Sequence, residues 1–427
     1  MNILLLGSGG REHAYALYLS RSKKVSHLYI APGNGGTDSC GTNISLNPLD
    51  FDSVNEFCLT HAVDVILPGN EDPLVAGIVD YFAEKNPSIK VAGPSKWCAQ
   101  LEGSKSFSKK FMESYSIPTA AYKEVNQNNI EEGERFLEEL TPPYVLKADG
   151  LAAGKGVLIL DNLMEAKREL RLMIEEAKFG AASSTVVIEE FLKGIELSVF
   201  VVSDGETWKL LGSAKDYKRI GEGDTGLNTG GMGAISPVPF ANDEFMKKVE
   251  QQVIVPTLDG LRSEGHPYKG ILFIGLMNDA GNPSVVEYNV RMGDPETEAI
   301  FPRLKTDMGE LIAAVVEGNL KEVELTYDER VAASVFLVSQ GYPEAYEKGK
   351  EISIPSIENN VVLLQAGTKK QNNRLVTNGG RVLSVTALED TMEKAIDAAM
   401  KTAEKVTFTG KTYRRDIGQD LLKLKNG

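Results

Sequence analysis

The sequence predicts a mixed α/β chain of several domains that opens with a parallel α/β sheet. Three observations carry this. Short apolar runs at 2–6, 28–30, 63–67 and 89–92 are separated by helical stretches, the alternation of an open parallel sheet. Gly7-Ser8-Gly9-Gly10 follows the first run directly and leads into a helical pattern at 11–19, the syntax of strand, tight turn, helix. At 427 residues the chain is too long for one core and points to two to four domains.

The first unit closes near Pro94, and 104–115 reads as a linking helix punctuated by Ile117-Pro118. Strands follow at 142–148 and 157–160 around a glycine-containing loop, then a helix to about 176 and a strand at 185–190. Beyond two further strands, the glycine-rich stretch 221–233 is expected to be irregular, and a loop of that length inside a domain is usually functional or disordered. A helix over 243–264 precedes strands at 270–278 and 284–290, joined by a turn at Asp279-Ala280-Gly281-Asn282. The last hundred residues alternate strands at 332–339, 361–364 and 381–386 with a helix at 390–403.

Net charge is −14, which repels nucleic acid and acidic membranes, so neither is an expected partner. No segment is apolar for long enough to span a bilayer, and the run 1–6 stops at Gly7 with no basic leader, so a cytoplasmic chain is expected. Cys40, Cys58 and Cys98 are widely spaced and odd in number, as packed reduced thiols are.

Four segments carry chemistry. Along a strand at 285–290, Glu287, Asn289 and Arg291 project from one face while Val286, Tyr288 and Val290 pack behind. A carboxylate and an amide suit a hard cation and a guanidinium suits a carboxylate or phosphoryl group, although a solvated face with Glu287 paired to Arg291 has the same pattern. Gly293-Asp294-Pro295 then reads as a turn into a helix, with Asp294 as N-cap. The GSGGREH turn at 7–13 offers backbone N–H groups and Arg11 to a phosphate, or is only a tight turn; Glu12 and Asn34 stand where a dinucleotide site would need a glycine and an acid. In KADGLAAGKGV at 147–157, Lys147 and Lys155 flank a loop able to close over polyphosphate. The backbone at Glu190 and Leu192 could read an adenine, and Glu196 could accept from ribose hydroxyls.

Together, GSGGREH, LEGSKSF, KADGLAAGKGV, IEEFLKGIE, DYKRIGEGDTGLNTGGMGA, EYNVRMGDPETE, AGTK and RRDIG, in this order along the whole chain, resemble the glycinamide ribonucleotide synthetases of the ATP-grasp superfamily. The resemblance implies an N-terminal α/β domain over 1–102 for phosphoribosylamine. It further implies an ATP-grasp domain of two α+β lobes over 103–327, with a mobile lobe at about 118–193, and a small C-terminal α/β domain over 328–427. It implies a monomeric, ATP-dependent ligase joining glycine to 5-phosphoribosylamine through glycyl phosphate, using Mg²⁺ or Mn²⁺. Glu287 and Asn289 would bind the metal. Arg291 and Lys155 would be catalytic, with Arg291 and Asp216 on glycine. Lys105, Lys147, Lys155, Glu189, Glu190, Leu192 and Glu196 would bind ATP, and Gly9, Gly10, Arg11, Glu12 and Asn34 would hold phosphoribosylamine.

The chain departs from the family pattern at Asn70, Tyr217, Met292 and Glu298, where Pro, His, Phe and Gln are usual. Met292 is expected to remain an apolar packer, and Glu298 to add charge near the site. Strand 271–278 offers no acid as a second metal ligand. Another ATP-grasp carboxylate–amine ligase and a nucleotide-binding regulator without turnover are the alternative readings.

Overall fold

The computed structural model describes residues 1–151, 156–176 and 184–425. Lys155 lies outside them. Strands β1 (Asn2–Gly7), β2 (His27–Pro32), β3 (Thr42–Asn43), β4 (Val65–Pro68) and β5 (Lys90–Val91) form an all-parallel sheet in the order β3-β2-β1-β4-β5. Helices cover both faces, so Ile3, Leu4, Leu5 and Leu6 are all fully buried, the reason the run is continuous rather than alternating. Strand order reverses between β1 and β4, and ligand crevices form beyond the carboxyl ends of strands at such a point.

The lobe that follows is a four-stranded sheet of β6 (Tyr122–Asn126), β7 (Tyr144–Ala148), β8 (Val157–Leu160) and β9 (Thr185–Glu189), ordered β6-β9-β7-β8. Helices Ile130–Glu139 and Leu163–Glu175 close its own small core around Val125, Leu137, Leu146, Leu170 and Ile188.

The remaining strands are β10 (Ile195–Asp204), β11 (Trp208–Asp216), β12 (Arg219–Gly221), β13 (Thr225–Asn228), β14 (Gly233–Ser236), β15 (Lys269–Asp279), β16 (Asn282–Asn289), β17 (Val331–Ser339), β18 (Val361–Gln365), β19 (Thr368–Gln371), β20 (Arg374–Thr377), β21 (Arg381–Glu389) and β22 (Lys411–Thr412). One antiparallel sheet runs β16-β15-β10-β11-β14-β17-β21-β18, with β22 beside β17. Because β14 pairs with both β11 and β17, hydrogen bonding is continuous across the boundary expected at 327/328. Helix Met392–Lys405 packs on β17 and β21. The β15–β16 turn has Ala280 at φ +49° and Gly281 at φ +84°, the two positive values a two-residue hairpin of matching twist requires.

Four local expectations need correction. The stretch 221–233 contains regular structure: β12 and β13 pair as a short hairpin. Helix 243–264 has a π segment at Glu250–Ile254 just before Pro256, whose missing N–H cannot continue the ordinary ladder. A register shift between Gly275 and Leu276 pairs Leu276 with Val285, so Val286 is extra, breaks the alternation and faces the cleft rather than packing behind. Finally, helix Glu296–Ile300 starts after Pro295 with no side-chain cap; Asp294 instead pairs with Arg381, its Oδ1 2.9 Å from Nη1.

Candidate active site

A cleft of about 810 Å³ lies between the lobe, the end of β16 and the β12–β13 hairpin. That volume suits a nucleotide with small co-substrates. The structure brings Lys105, Lys147, Glu189, Glu190, Leu192, Glu196, Asp216, Glu287, Asn289 and Arg291 to its walls.

On the lobe side, Glu189 closes β9 with its side chain nearly buried, and Oε2 accepts from Lys147 Nζ at 2.9 Å. The Glu190 N–H is taken by Ala121 O at 2.9 Å, so this edge presents the Glu190 C=O and the Leu192 N–H, neither with a backbone partner among the described residues. One acceptor beside one donor is the edge an adenine reads. Lys105, in the first turn of helix Lys105–Ser114, reaches across to Gly150 O at 3.0 Å. Burial lowers its ammonium pKa, with Glu287 opposing.

Opposite, Glu287 is half-buried among cations: desolvation works against its charge, but Lys218, Lys147, Lys105 and Arg291 together hold the carboxyl below its ordinary range. Asn289 Oδ1 accepts from Arg291 Nη2 at 3.0 Å, which leaves one lone pair, while its buried Nδ2 has no partner. Among the described residues no cluster of three or more His, Cys, Asp or Glu side chains forms a metal cage. Two oxygen donors next to an orphaned amide N–H fit a small hard cation that arrives with phosphate oxygens completing its shell.

Arg291 is more heavily engaged than the strand pattern alone shows. Its Nε donates to Glu71 Oε2 at 3.0 Å and its Nη1 to Met292 O at 3.3 Å; Nη2 donates to Glu102 Oε1 at 2.6 Å and to Asn289. Of five guanidinium hydrogens, one on Nη1 is left for a ligand. A bidentate grip would require one of these bonds to open.

Sequence reasoning gave no site role to Glu71, Glu102, Lys109, Lys218, Asp294 or Glu296, all of which line the cleft. Lys218 Nζ bonds Glu196 Oε1, so Glu196 meets a cation before any ribose. Asp216, half-buried on the cleft wall, acts on the buried Glu296: burial and then Asp216 push Glu296 up to about 8, while burial raises Asp216 against the pull of Lys218. Ser198 Oγ donates to Glu296 at 3.0 Å. For Asp294 and Glu296 the local signal was only an acid-rich run, 294–298.

At the parallel-sheet crevice, Gly9, Gly10, Arg11, Glu12 and Asn34 converge, but largely on one another. Glu12 Oε2 accepts from Gly9 N at 2.5 Å and Arg11 Nε donates to Glu12 Oε1 at 2.6 Å. Asp294 Oδ2 faces Arg11 N at 3.5 Å. The helix N-terminus is thus occupied by the chain's own carboxylates. Gly7, at φ +133°, gives Glu12 its room: a Cβ there would lie 2.5 Å from Glu12 Cγ. Asn34 Nδ2 bonds Ser8 O and Gln365 O at 2.9 and 2.7 Å, fastening the crevice to β18.

The departures resolve physically. Met292 is fully buried in apolar surroundings. Tyr217 donates to Asp420 at 2.6 Å beneath the Lys215 ammonium. Glu298 is fully buried rather than an added surface charge, and burial followed by Asp294 raises its carboxyl pKa well above the ordinary range, against the pull of Arg381. Asp294 stays ionised because, against burial, Arg381 and Arg11 hold it low.

Three family models cover the chain in order: the N domain of phosphoribosylglycinamide synthetase matches residues 1–102, its ATP-grasp (A) domain 103–297 and its C domain 332–420. The chain is 46% identical to a phosphoribosylamine–glycine ligase of Chlorobaculum tepidum over 99% of this chain and 100% of that one. It is 45% identical to a protein of the same name from Haemophilus influenzae, with 98% of each covered. The crystal structure of a phosphoribosylamine–glycine ligase from Thermotoga maritima superposes with a TM-score of 0.83 at 39% identity, covering 98% of this chain and 100% of that one. In sequence, domain order and fold, this chain belongs to the phosphoribosylglycinamide synthetase family.

Proposed function

We propose that this chain is a phosphoribosylamine–glycine ligase that uses ATP to activate the glycine carboxylate as an acyl phosphate, which the amine of 5-phosphoribosylamine then captures. The observation that carries the reading is the pairing across one cleft of a cationic wall, Lys105, Lys147 and Lys218, with the Glu287–Asn289–Arg291 strand end. Bringing a carboxylate to a triphosphate assembles anions, and preorganised cations in a water-poor cleft lower that barrier.

In this reading Glu189, Glu190, Leu192 and Glu196 hold adenine and ribose, and Lys105, Lys147 and Lys155 hold phosphates. Glu287 and Asn289 hold a divalent cation, Mg²⁺ or Mn²⁺, that supplies charge neutralisation to the phosphoryl oxygens when bound. Arg291 presents its remaining N–H to the glycine carboxylate or the transferring phosphoryl group. Asp216, beside the protonated Glu296, accepts from the glycine ammonium. Gly9, Gly10, Arg11 and Glu12, with Asn34 fixing their loop, form the phosphoribosylamine wall. The chain then works as a cytoplasmic monomer on small molecules.

The test is ADP release by purified protein. Release that requires glycine and phosphoribosylamine together supports the reading; equal release with another amino acid and no sugar amine contradicts it.

A further inference from the structure

Lys109 lies one turn beyond Lys105 on the same helix and is 2% exposed. Its Nζ donates to Thr119 Oγ1 at 2.8 Å and to Ala120 O at 3.2 Å, and it pairs with Glu189 Oε2 at 3.2 Å. Two hydrogen bonds and this ion pair engage the ammonium from three sides. Lys109 is thus held by the protein's own acceptors, although it sits in the cleft wall. Lys147, whose Nζ bonds Glu189 Oε2 and Val286 O, keeps one hydrogen for a ligand.

Both ammonium groups meet the same oxygen of Glu189. That convergence engages Oε2 from two sides and leaves Oε1 without an ammonium partner, on a residue that lines the cleft and that the ATP-site reading sets against the adenine. A carboxylate accepts and cannot donate. It therefore matches a purine carrying an amino group at the 6-position and repels one carrying an oxo group there. Thr119 in turn donates to Val285 O at 2.7 Å, so Lys109 also fastens the start of the lobe to the strand bearing Glu287. Burial lowers the Lys109 ammonium to about 8, with Glu189 the main opposing influence, consistent with a cation maintained by this carboxylate.

We infer that Lys109 is a positioning residue that locks Glu189 as a hydrogen-bond acceptor and thereby sets the preference of the cleft for 6-amino over 6-oxo purine nucleotides. This rests on the ATP-site reading above.

The experiment is steady-state kinetics of the complete reaction with ATP and with GTP for the wild type, Lys109→Met, Lys109→Arg, Glu189→Gln and the Met/Gln double variant. Lys109→Met is expected to raise the KM for ATP at least tenfold with kcat altered less than threefold, and to narrow the ATP/GTP ratio of kcat/KM at least tenfold. Lys109→Arg should keep most of that ratio, and in the Glu189→Gln background Lys109→Met should add less than threefold. An unchanged KM and ratio in Lys109→Met, or an equal loss with and without Glu189, would overturn the inference. If Lys109→Met does not fold, Lys109→Gln makes the same comparison. Wild-type protein that releases no ADP from ATP with both co-substrates present would instead defeat the ligase reading, so the two failures are distinct.

Discussion

Arg291 Nη2 and Glu102 Oε1 stand 2.6 Å apart in the interior, joining the end of β16 to helix Lys96–Gly103. Glu102 Oε2 also accepts from Val290 N at 2.7 Å, so one carboxylate fixes both the backbone and the side chain at the strand end. Despite Arg291, burial pushes the Glu102 carboxyl up to about 7.

Glu102 therefore links stability to pH. Its folded pKa lies above the ordinary 4.5, so folding takes up a proton; this contribution is complete below 4.5 and is lost as pH rises through about 7. Urea unfolding of the wild type and Glu102→Gln should show the wild type losing ground to the variant between pH 5 and 8. Glu102→Ala, which leaves the buried guanidinium short of a partner, should cost about 3 kcal/mol at any pH in that range.

Gly10 and Glu298 define a second pair. A Cβ at Gly10 would lie 2.3 Å from Glu298 Oε1 and 3.2 Å from Phe336 Cζ. Gly10→Ala should destabilise by about 1–3 kcal/mol and raise the KM for phosphoribosylamine, because the first turn of the helix must move. Glu298→Gln, which keeps the carboxyl's shape and removes a charge that burial disfavours, should stay within about 1 kcal/mol in thermal or urea unfolding.

Arg414 ties the C-terminal segment to the β12–β13 hairpin. It is 2% exposed and donates to Asp224 Oδ1 and Asp416 Oδ2, each at 2.7 Å, and Asp416 accepts from Gly223 N at 2.8 Å. Arg414→Ala should increase proteolytic cutting within 219–228 and lower kcat/KM at least tenfold, since Arg219, Asp224 and Asn228 line the cleft.

Asp216→Asn removes the charge that helps raise Glu296. The KM for glycine should rise at least tenfold with the KM for ATP changed less than threefold. An unchanged glycine KM would remove Asp216 from the glycine site.

Much of this was legible from short-range pattern. Period-two alternation placed Glu287, Asn289 and Arg291 on one face, and the apolar runs announced the parallel sheet, whose order with β1 at the centre only the structure shows. The hidden parts depend on chain-distant contacts. Glu71 and Glu102 lie 220 and 189 residues from Arg291, and nothing near 291 announces them. The Val286 bulge depends on how β16 pairs with β15, invisible in the sequence of β16 alone. Glu298 reads as charge in any composition count, and its carboxyl is pushed up only because folding removes its water and sets Asp294 beside it. Asp294 has the composition of an N-cap, yet Arg381, 87 residues away, claims it.

The most direct test of the central claim follows oxygen. Glycine labelled with ¹⁸O in its carboxylate should transfer one ¹⁸O atom per turnover to inorganic phosphate, because acyl phosphate formation and its capture by the amine break that carbon–oxygen bond. Phosphate free of ¹⁸O during glycinamide ribonucleotide formation would contradict carboxylate activation in this cleft.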